Sequence, residues 1–248
     1  MLAGAKDSKK AGQSEVNVYL SSPNNALQAN SVRGMPVLLS FMVSKSSKWI
    51  AEYVPSFGPL LIDCGAYTAY AKGLTIDGAE YKDWSSQYAH WCDAIAGIDD
   101  IGGDYRASLD NYDRYGGFPT YHDSDPPELL DDLVALAQER GRWIGIGLKP
   151  PRDGKEDFLR RTCDRIPPEL HVHGCALRGY TYISRIDSVD STNWFRKAME
   201  LRANSLCSHL TLGETLEITI KRYQRWQRTP REKMQDDLFD NFERQNHG

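Results

Sequence analysis

Two short stretches place carboxylates where an apolar strand should continue. One is Leu60-Leu61-Ile62-Asp63-Cys64-Gly65-Ala66-Tyr67, the other Arg185-Ile186-Asp187-Ser188-Val189-Asp190-Ser191-Thr192-Asn193-Trp194. Both read as short buried strands that end in polar chemistry, because leucine, isoleucine and valine suit strands. A carboxylate in such a place is costly unless it is paired or used. Asp187 and Asp190 would point to opposite faces of an ideal strand, so one of them lies at the strand's end or past it. Asp63 and Asp190 are read as two halves of one active site. Acids that converge from separate strands suit general acid–base or nucleophilic carboxylate chemistry. The bland alternative for any one of them is a helix N-cap, which a strand-to-helix turn often supplies. It accounts less well for the set.

Other strand ends carry similar groups. Asp99 and Asp100 follow Ala-Ile-Ala-Gly-Ile, and His122 follows Phe-Pro-Thr-Tyr. Gly65 permits close approach of backbone to a ligand. Gly145-Ile146-Gly147-Leu148 would admit a flat ring, or would serve tight strand–helix packing equally well. Gly102-Gly103 is a flexible turn without the full dinucleotide pattern. His171 and His173 alternate on a strand, and a hydrogen-bonding role suits them better than metal ligation. Cys207-Ser208-His209 is a weak metal hint. The five cysteines are widely spaced with no CxxC pair, which suggests reduced thiols rather than a zinc site or a disulfide framework. Trp84, Tyr88 and Trp91 read as helix core rather than a base-stacking platform. One dense basic run, Lys221, Arg222, Arg225, Arg228, Arg231 and Lys233, has Tyr223 and Trp226 interleaved. Such a run can track phosphates. From the residues alone a solvated helix face is slightly favoured.

The elements that must position these groups recur regularly. Apolar, β-rich runs fall at 16–20, 37–42, 60–66, 94–98, 118–122, 143–148, 171–177 and 183–189. Several are continuously apolar, which suits strands covered on both faces, as in parallel sheets. Helical patterns lie between many of them: from Asp77 through Trp91, over 104–115, over 128–140 behind Pro126-Pro127, over 156–165, and over 192–204. Segments 28–37 and 44–58 are weakly helical at best. Eight strands alternating with helices predict an α/β fold, a (β/α)8 TIM-like barrel with irregular early units; a doubly wound open sheet is the runner-up. The predicted organisation is a disordered leader over 1–14, a catalytic barrel over 15–212, and an added C-terminal helical segment over 213–248. In that segment Thr229-Pro230-Arg231-Glu232 has capping-box form and would open a second helix reaching about Arg244. The 248 residues, 40% hydrophobic and 26% charged, are ordinary for a globular protein. The leader has no apolar core of a signal peptide, and no run approaches a membrane span. A cytoplasmic protein with no membrane partner is expected. A net charge of −4 does not announce a nucleic-acid binder, although local basic patches would still serve.

The chain resembles the guanine transglycosylases in four places. Ile62-Asp63-Cys64-Gly65-Ala66-Tyr67-Thr68-Ala69 is similar to their D-S-G-A-F-[ST]-A or D-S-G-G-F-Q stretch. Ile186-Asp187-Ser188-Val189-Asp190-Ser191 is similar to G-[IV]-D-x-F-D-C. Ile98-Asp99-Asp100 resembles the base-recognising F-D-E, and Ile146-Gly147-Leu148 the G-G-L that lines the base pocket. The four occur in the family's order over residues 60–194. The Ser-Val-Asp-Ser-Thr-x-Trp form and the short length look closest to the DNA-modifying branch. Those phage and bacterial relatives of queuine tRNA-ribosyltransferase place 7-deazaguanines in DNA. The resemblance implies that Asp190 attacks C1′ of the deoxyribose and that Asp63 is the general acid/base. It implies that Asp99, or Asp100 beside it, reads the guanine edge. Gly147 and Leu148 would line the base pocket, together with Gly65, Tyr67 and His122. Asp187 and Ser191 would support the nucleophile, and Lys221, Arg222, Arg225 and Arg228 would meet nucleic acid. The expected partners are DNA and a free 7-deazaguanine such as preQ0, in a bacterial cell, with a phage-encoded enzyme and a homodimer as compatible settings. The family's tRNA enzymes carry a C-terminal C-x-C-x-x-C…H zinc site. This chain has nothing of that kind, so no metal and no cofactor is expected, and tRNA becomes the second choice of substrate. A nucleoside or glycoside hydrolase using the same two carboxylates is the alternative from another class.

Overall fold

The computed structural model describes residues 16–102, 104–149, 154–181, 183 and 185–227. The expected leader and the expected second C-terminal helix lie outside these residues. Eight short strands form the sheet: β1 (Asn17–Ser21), β2 (Val37–Ser40), β3 (Leu60–Asp63), β4 (Cys92–Ile95), β5 (Thr120–His122), β6 (Trp143–Gly147), β7 (His171–Cys175) and β8 (Ser188–Ser191). The ladder order is β4-β3-β2-β1-β8-β7-β6-β5, and every paired neighbour is parallel. First and last strands are therefore neighbours, which a doubly wound sheet with its reversal of strand order does not give. The sheet curls. Its two ends, β4 and β5, meet at a single parallel bridge between Ala96 and Phe118. There Phe118 N–H donates to Ile95 O at 2.8 Å and Gly97 N–H to Phe118 O at 2.9 Å.

Ten α-helices are present among the described residues: α1 (Ala26–Ser31), α2 (Phe41–Ser44), α3 (Ile50–Tyr53), α4 (Ala66–Lys72), α5 (Gly78–Ser86), α6 (Tyr105–Tyr115), α7 (Leu129–Glu139), α8 (Glu156–Arg165), α9 (Asn193–Ala203) and α10 (Leu212–Gln227). No helix among the described residues is long and apolar enough to cross a membrane. The weak early segments hold the short helices α1 and α3, while α2 takes up the end of the run expected as strand over 37–42, where β2 stops at Ser40. Asp77 and Asp104 are the N-caps of α5 and α6, accepting from Glu80 N–H and Arg106 N–H. Trp84 and Tyr88 are buried, as core residues of α5 and its end, whereas Trp91 lies past the helix and is 39% exposed. Helix α4 had no forewarning in the apolar pattern. It begins on Gly65, whose φ of +81° is left-handed and favours glycine.

Strand alternation splits the apolar residues into two groups. Val18, Leu20, Leu39, Ile62, Ile144, Ile146, Val172 and Val189 face the helices and join Leu133, Leu159 and Trp194 in the main core. A smaller cluster of Tyr19, Leu38, Leu61, Ala96 and Phe118, flanked by Trp143, lies on the sheet's other face, inside the curl. This explains continuous runs such as Leu60-Leu61-Ile62: both faces are covered, and each buried Leu or Ile contributes about 1.5–3 kcal/mol. Two contacts tie the last helices to the site end of the sheet. Trp194 on α9 donates its indole N–H to Ser21 O at 3.0 Å, and Tyr223 on α10 shares a 3.1 Å hydrogen bond with Ser191.

The last strand corrects the sequence reading. It was expected over 183–189 and spans Ser188–Ser191 instead. Ile183 and Ile186 are buried but belong to consecutive turns, with Ile183 N–H bonded to Tyr180 O and Ile186 N–H to Ile183 O. Asp187 thus precedes the strand and Asp190 is its third residue. The two acids do not share the strand's end.

Candidate active site

A cavity of about 1100 Å³ opens where the strands end, and Asp63, Asp99, His122 and Asp190 all line it. The cause is topological. Parallel strands present all their C-terminal ends on one side of the sheet, so residues far apart in sequence converge there. Ser21, Ser40, Asp63, His122, Gly147 and Cys175 are the final residues of β1, β2, β3, β5, β6 and β7.

Asp63 and Asp190 reach this cavity with opposite electrostatics. Burial pushes the Asp63 carboxyl up to about 7, and the charges of Asp190 and Asp99 push the same way; the Gly65 N–H, 2.9 Å from Oδ2, only partly offsets this. Ser40, the register partner of Asp63 on β2, has a buried hydroxyl beside it that makes no hydrogen bond of good geometry. For Asp190 burial also acts upward but is outweighed. The His173 ring, the Ala176 N–H and the Ser21 hydroxyl hold the carboxyl below the usual carboxylate range. Ser21 donates to Oδ2 at 3.1 Å, and Ala176 N–H donates to Oδ1. Ala176 does so from a left-handed φ of +54°, an uncommon conformation for a residue with a Cβ. Neither acid is an N-cap. The cap positions of α4 and α9 are Gly65 and Thr192, and neither makes a side-chain cap bond.

Asp99 and His122 form a second pair. The His122 Nε2 lies 3.8 Å from Asp99 and its Nδ1 3.6 Å from Asp125. Burial lowers the imidazole's affinity for a proton, but the two carboxylates outweigh it and raise it. Burial raises Asp99, opposed by His122 and by the Tyr112 hydroxyl, which donates to it. Asp100 does not line the cavity; it is exposed, and its N–H donates to Ser108. The glycines of β6 have a steric reason. A Cβ on Gly147 would lie 2.6 Å from the His122 ring, and one on Gly145 2.6 Å from the Thr120 hydroxyl. They let neighbouring inward side chains lie flat across them. Leu148 lines the cavity, as does Tyr67, which is 55% exposed at its mouth.

The remaining expected residues are placed elsewhere. Asp187 accepts from Val172 N–H at 2.9 Å and lies 3.8 Å from Arg185, which fastens the start of β8 to β7. Ser191 is buried against Tyr223 and is not in the cavity. Lys221 is exposed on α10 and paired with Glu217 at 2.6 Å, and Arg222 is half-buried on the same helix. Arg228 lies outside the described residues, as does the side chain of Arg225. Among the described residues no group of three His, Cys, Asp or Glu side chains could hold a metal ion.

Sequence reasoning missed Ser21, Ser40 and Ala176, which touch or flank the two acids but carry no distinctive side-chain signal. It noted His173 without its partner: Nε2 is 3.7 Å from Asp190 Oδ1. The alternation His171-Val172-His173 was the available signal, since it turns both rings to one face.

No protein-family model matches the chain, and no curated protein matches it.

Proposed function

We propose that this chain is a DNA-guanine transglycosylase on a TIM-like barrel, which exchanges guanine for a 7-deazaguanine such as preQ0. The observation that carries the reading is one cavity holding two carboxylates of opposite tendency, Asp63 kept protonated up to about pH 7 and Asp190 kept ionised. Environments that push two carboxyls apart mark an acid and a nucleophile, as in retaining glycoside chemistry. Asp190 attacks C1′, the C1′–N9 bond breaks with its electron pair going to guanine, and Asp63 gives its proton to the departing base. The incoming base then loses a proton to the Asp63 carboxylate, its N9 bonds C1′, and Asp190 is released. Asp99 and His122, both in the cavity wall, would offer a guanine edge an acceptor beside a donor. The target nucleotide has to leave the helix stack to reach C1′, and the cavity has room for it.

Incubation with labelled guanine and either DNA or tRNA tests the proposal. Label entering DNA is the expected result, and label entering only tRNA overturns the choice of substrate. Release of free base with no incorporation would instead mean that water takes the second base's place, as in a hydrolase. Asp190→Ala is expected to abolish both exchange and the trapped covalent adduct; retained activity would remove Asp190 as nucleophile.

A further inference from the structure

Inside the curl, reaching the cavity wall at His173, lies a polar chain that the exchange reaction does not use directly. Ser188, fully buried on β8, has its hydroxyl 2.7 Å from His171 Nε2 and 2.9 Å from His173 Nδ1. His173 is 2% exposed, and its other nitrogen faces Asp190. Trp143 stacks on His171 with centroids 3.6 Å apart. Trp143, Tyr19 and Phe118 also surround the His173 ring.

A hydroxyl has one proton, so Ser188 can donate to one imidazole and must accept from the other. If Ser188 donates to His173, then His173 Nδ1 is the acceptor and the ring's proton sits on Nε2, facing the carboxylate. If Ser188 accepts from His173, a neutral His173 would turn a lone pair on Nε2 toward an anion in a buried setting, which is unfavourable. Only the doubly protonated ring avoids that, and it too carries a proton on Nε2. The side chain of Asp190 has its other donors, Ser21 and Ala176, on the cavity side of the strand ends. The titratable groups that bear on the pair are Asp63, Asp99 and Cys175 around the cavity, and Tyr19, whose hydroxyl is bonded to Asp93 at 2.8 Å.

We propose that His173 is a positioning residue for Asp190, its ring set by Ser188 and His171 so that an Nε2–H faces the carboxylate and keeps it ionised and aimed. The catalytic consequence rests on the transglycosylase reading; the proton's position does not. The first test therefore uses the wild-type protein without substrate. Long-range 15N–1H correlation spectra at neutral pH distinguish the forms of the six histidines, with His173 assigned by loss of its signal in His173→Gln. An Nε2–H tautomer or an imidazolium is expected, and a neutral Nδ1–H tautomer overturns the proposal. The second test separates positioning from packing. Glutamine can keep a donor near the Nε2 position, whereas asparagine reaches only to Nδ1. In single-turnover adduct formation, His173→Asn and Ser188→Ala are expected to move the acidic limb of the pH–rate profile up by about one unit, a tenfold loss below it. His173→Gln should leave that limb within about twofold of wild type. Equal effects of Asn and Gln would leave only a packing role and sink the proposal. Should no exchange occur on any nucleic acid, the transglycosylase reading fails while the tautomer measurement still decides this one.

Discussion

Asp63 and Asp190 differ in what pH does to them, and that difference is measurable. In the proposed exchange Asp63 must be protonated to release guanine, so adduct formation is expected to fall about tenfold per pH unit above about 7. Asp190 is held low and stays ionised well into the acid range, so the plateau below 7 should be broad. Asp63→Asn is expected to remove the alkaline limb and slow the step by about 10²–10⁴-fold in rapid-quench assays. The same residue makes a stability prediction. Its folded carboxyl is raised above the ordinary 3.8, so folding favours the protonated form and stability drains away as pH rises between 3.8 and about 7. Asp63→Asn removes that cost. It should stabilise the protein at pH 8 by about 1–3 kcal/mol in urea denaturation and do little at pH 4. Gly147→Ala is a further test, because its methyl would press into His122 between Asp99 and Asp125. A weaker guanine Kd by calorimetry, with a stability loss of about 1–3 kcal/mol, is expected.

Elements explain why some of this was legible in the sequence and some was not. Strands buried on both faces write continuous apolar runs, and β1, β2, β3 and β6 were visible in that way. Placement differed at β4, which spans Cys92–Ile95 rather than 94–98, and most at β8, where Ile183 and Ile186 supply β-branched character to turns while the strand itself is Ser188-Val189-Asp190-Ser191. Its inward residues Ser188 and Asp190 meet His171, His173 and Ser21 rather than apolar side chains, so the strand looks unlike one. Helix α4 was invisible because its start depends on the left-handed backbone at Gly65 rather than on an apolar stripe. The acids were legible because a carboxylate interrupts an apolar run; Ser21 and the Ala176 N–H were not, because backbone direction alone aims them. The tie from α10 to β8 can be tested separately. Tyr223→Phe deletes the Ser191 hydrogen bond inside a buried contact and should cost about 0.5–1.5 kcal/mol in denaturation, without moving the pH limbs.

For the whole molecule, the described part of the basic run, Lys221, Arg222 and Arg225, lies on the last described helix, with Lys221 already paired to Glu217. If it meets phosphates, charge reversal at Arg222 and Arg225 should weaken DNA binding and flatten its dependence on salt; unchanged affinity leaves these residues as a solvated face. The sheet's one weak join bears on the other end of the site. Seven strand pairs are laddered, but β4 and β5 are held by a single bridge at Ala96 and Phe118. Asp99 follows one of these strands and His122 ends the other, so the two residues proposed to read the base stand on opposite banks of that seam. A guanine bridging them would act as a clasp across it. The amide protons of Phe118 and Gly97 should then exchange with deuterium faster than those of the β1–β8 ladder in the free protein, and slow selectively when the base binds.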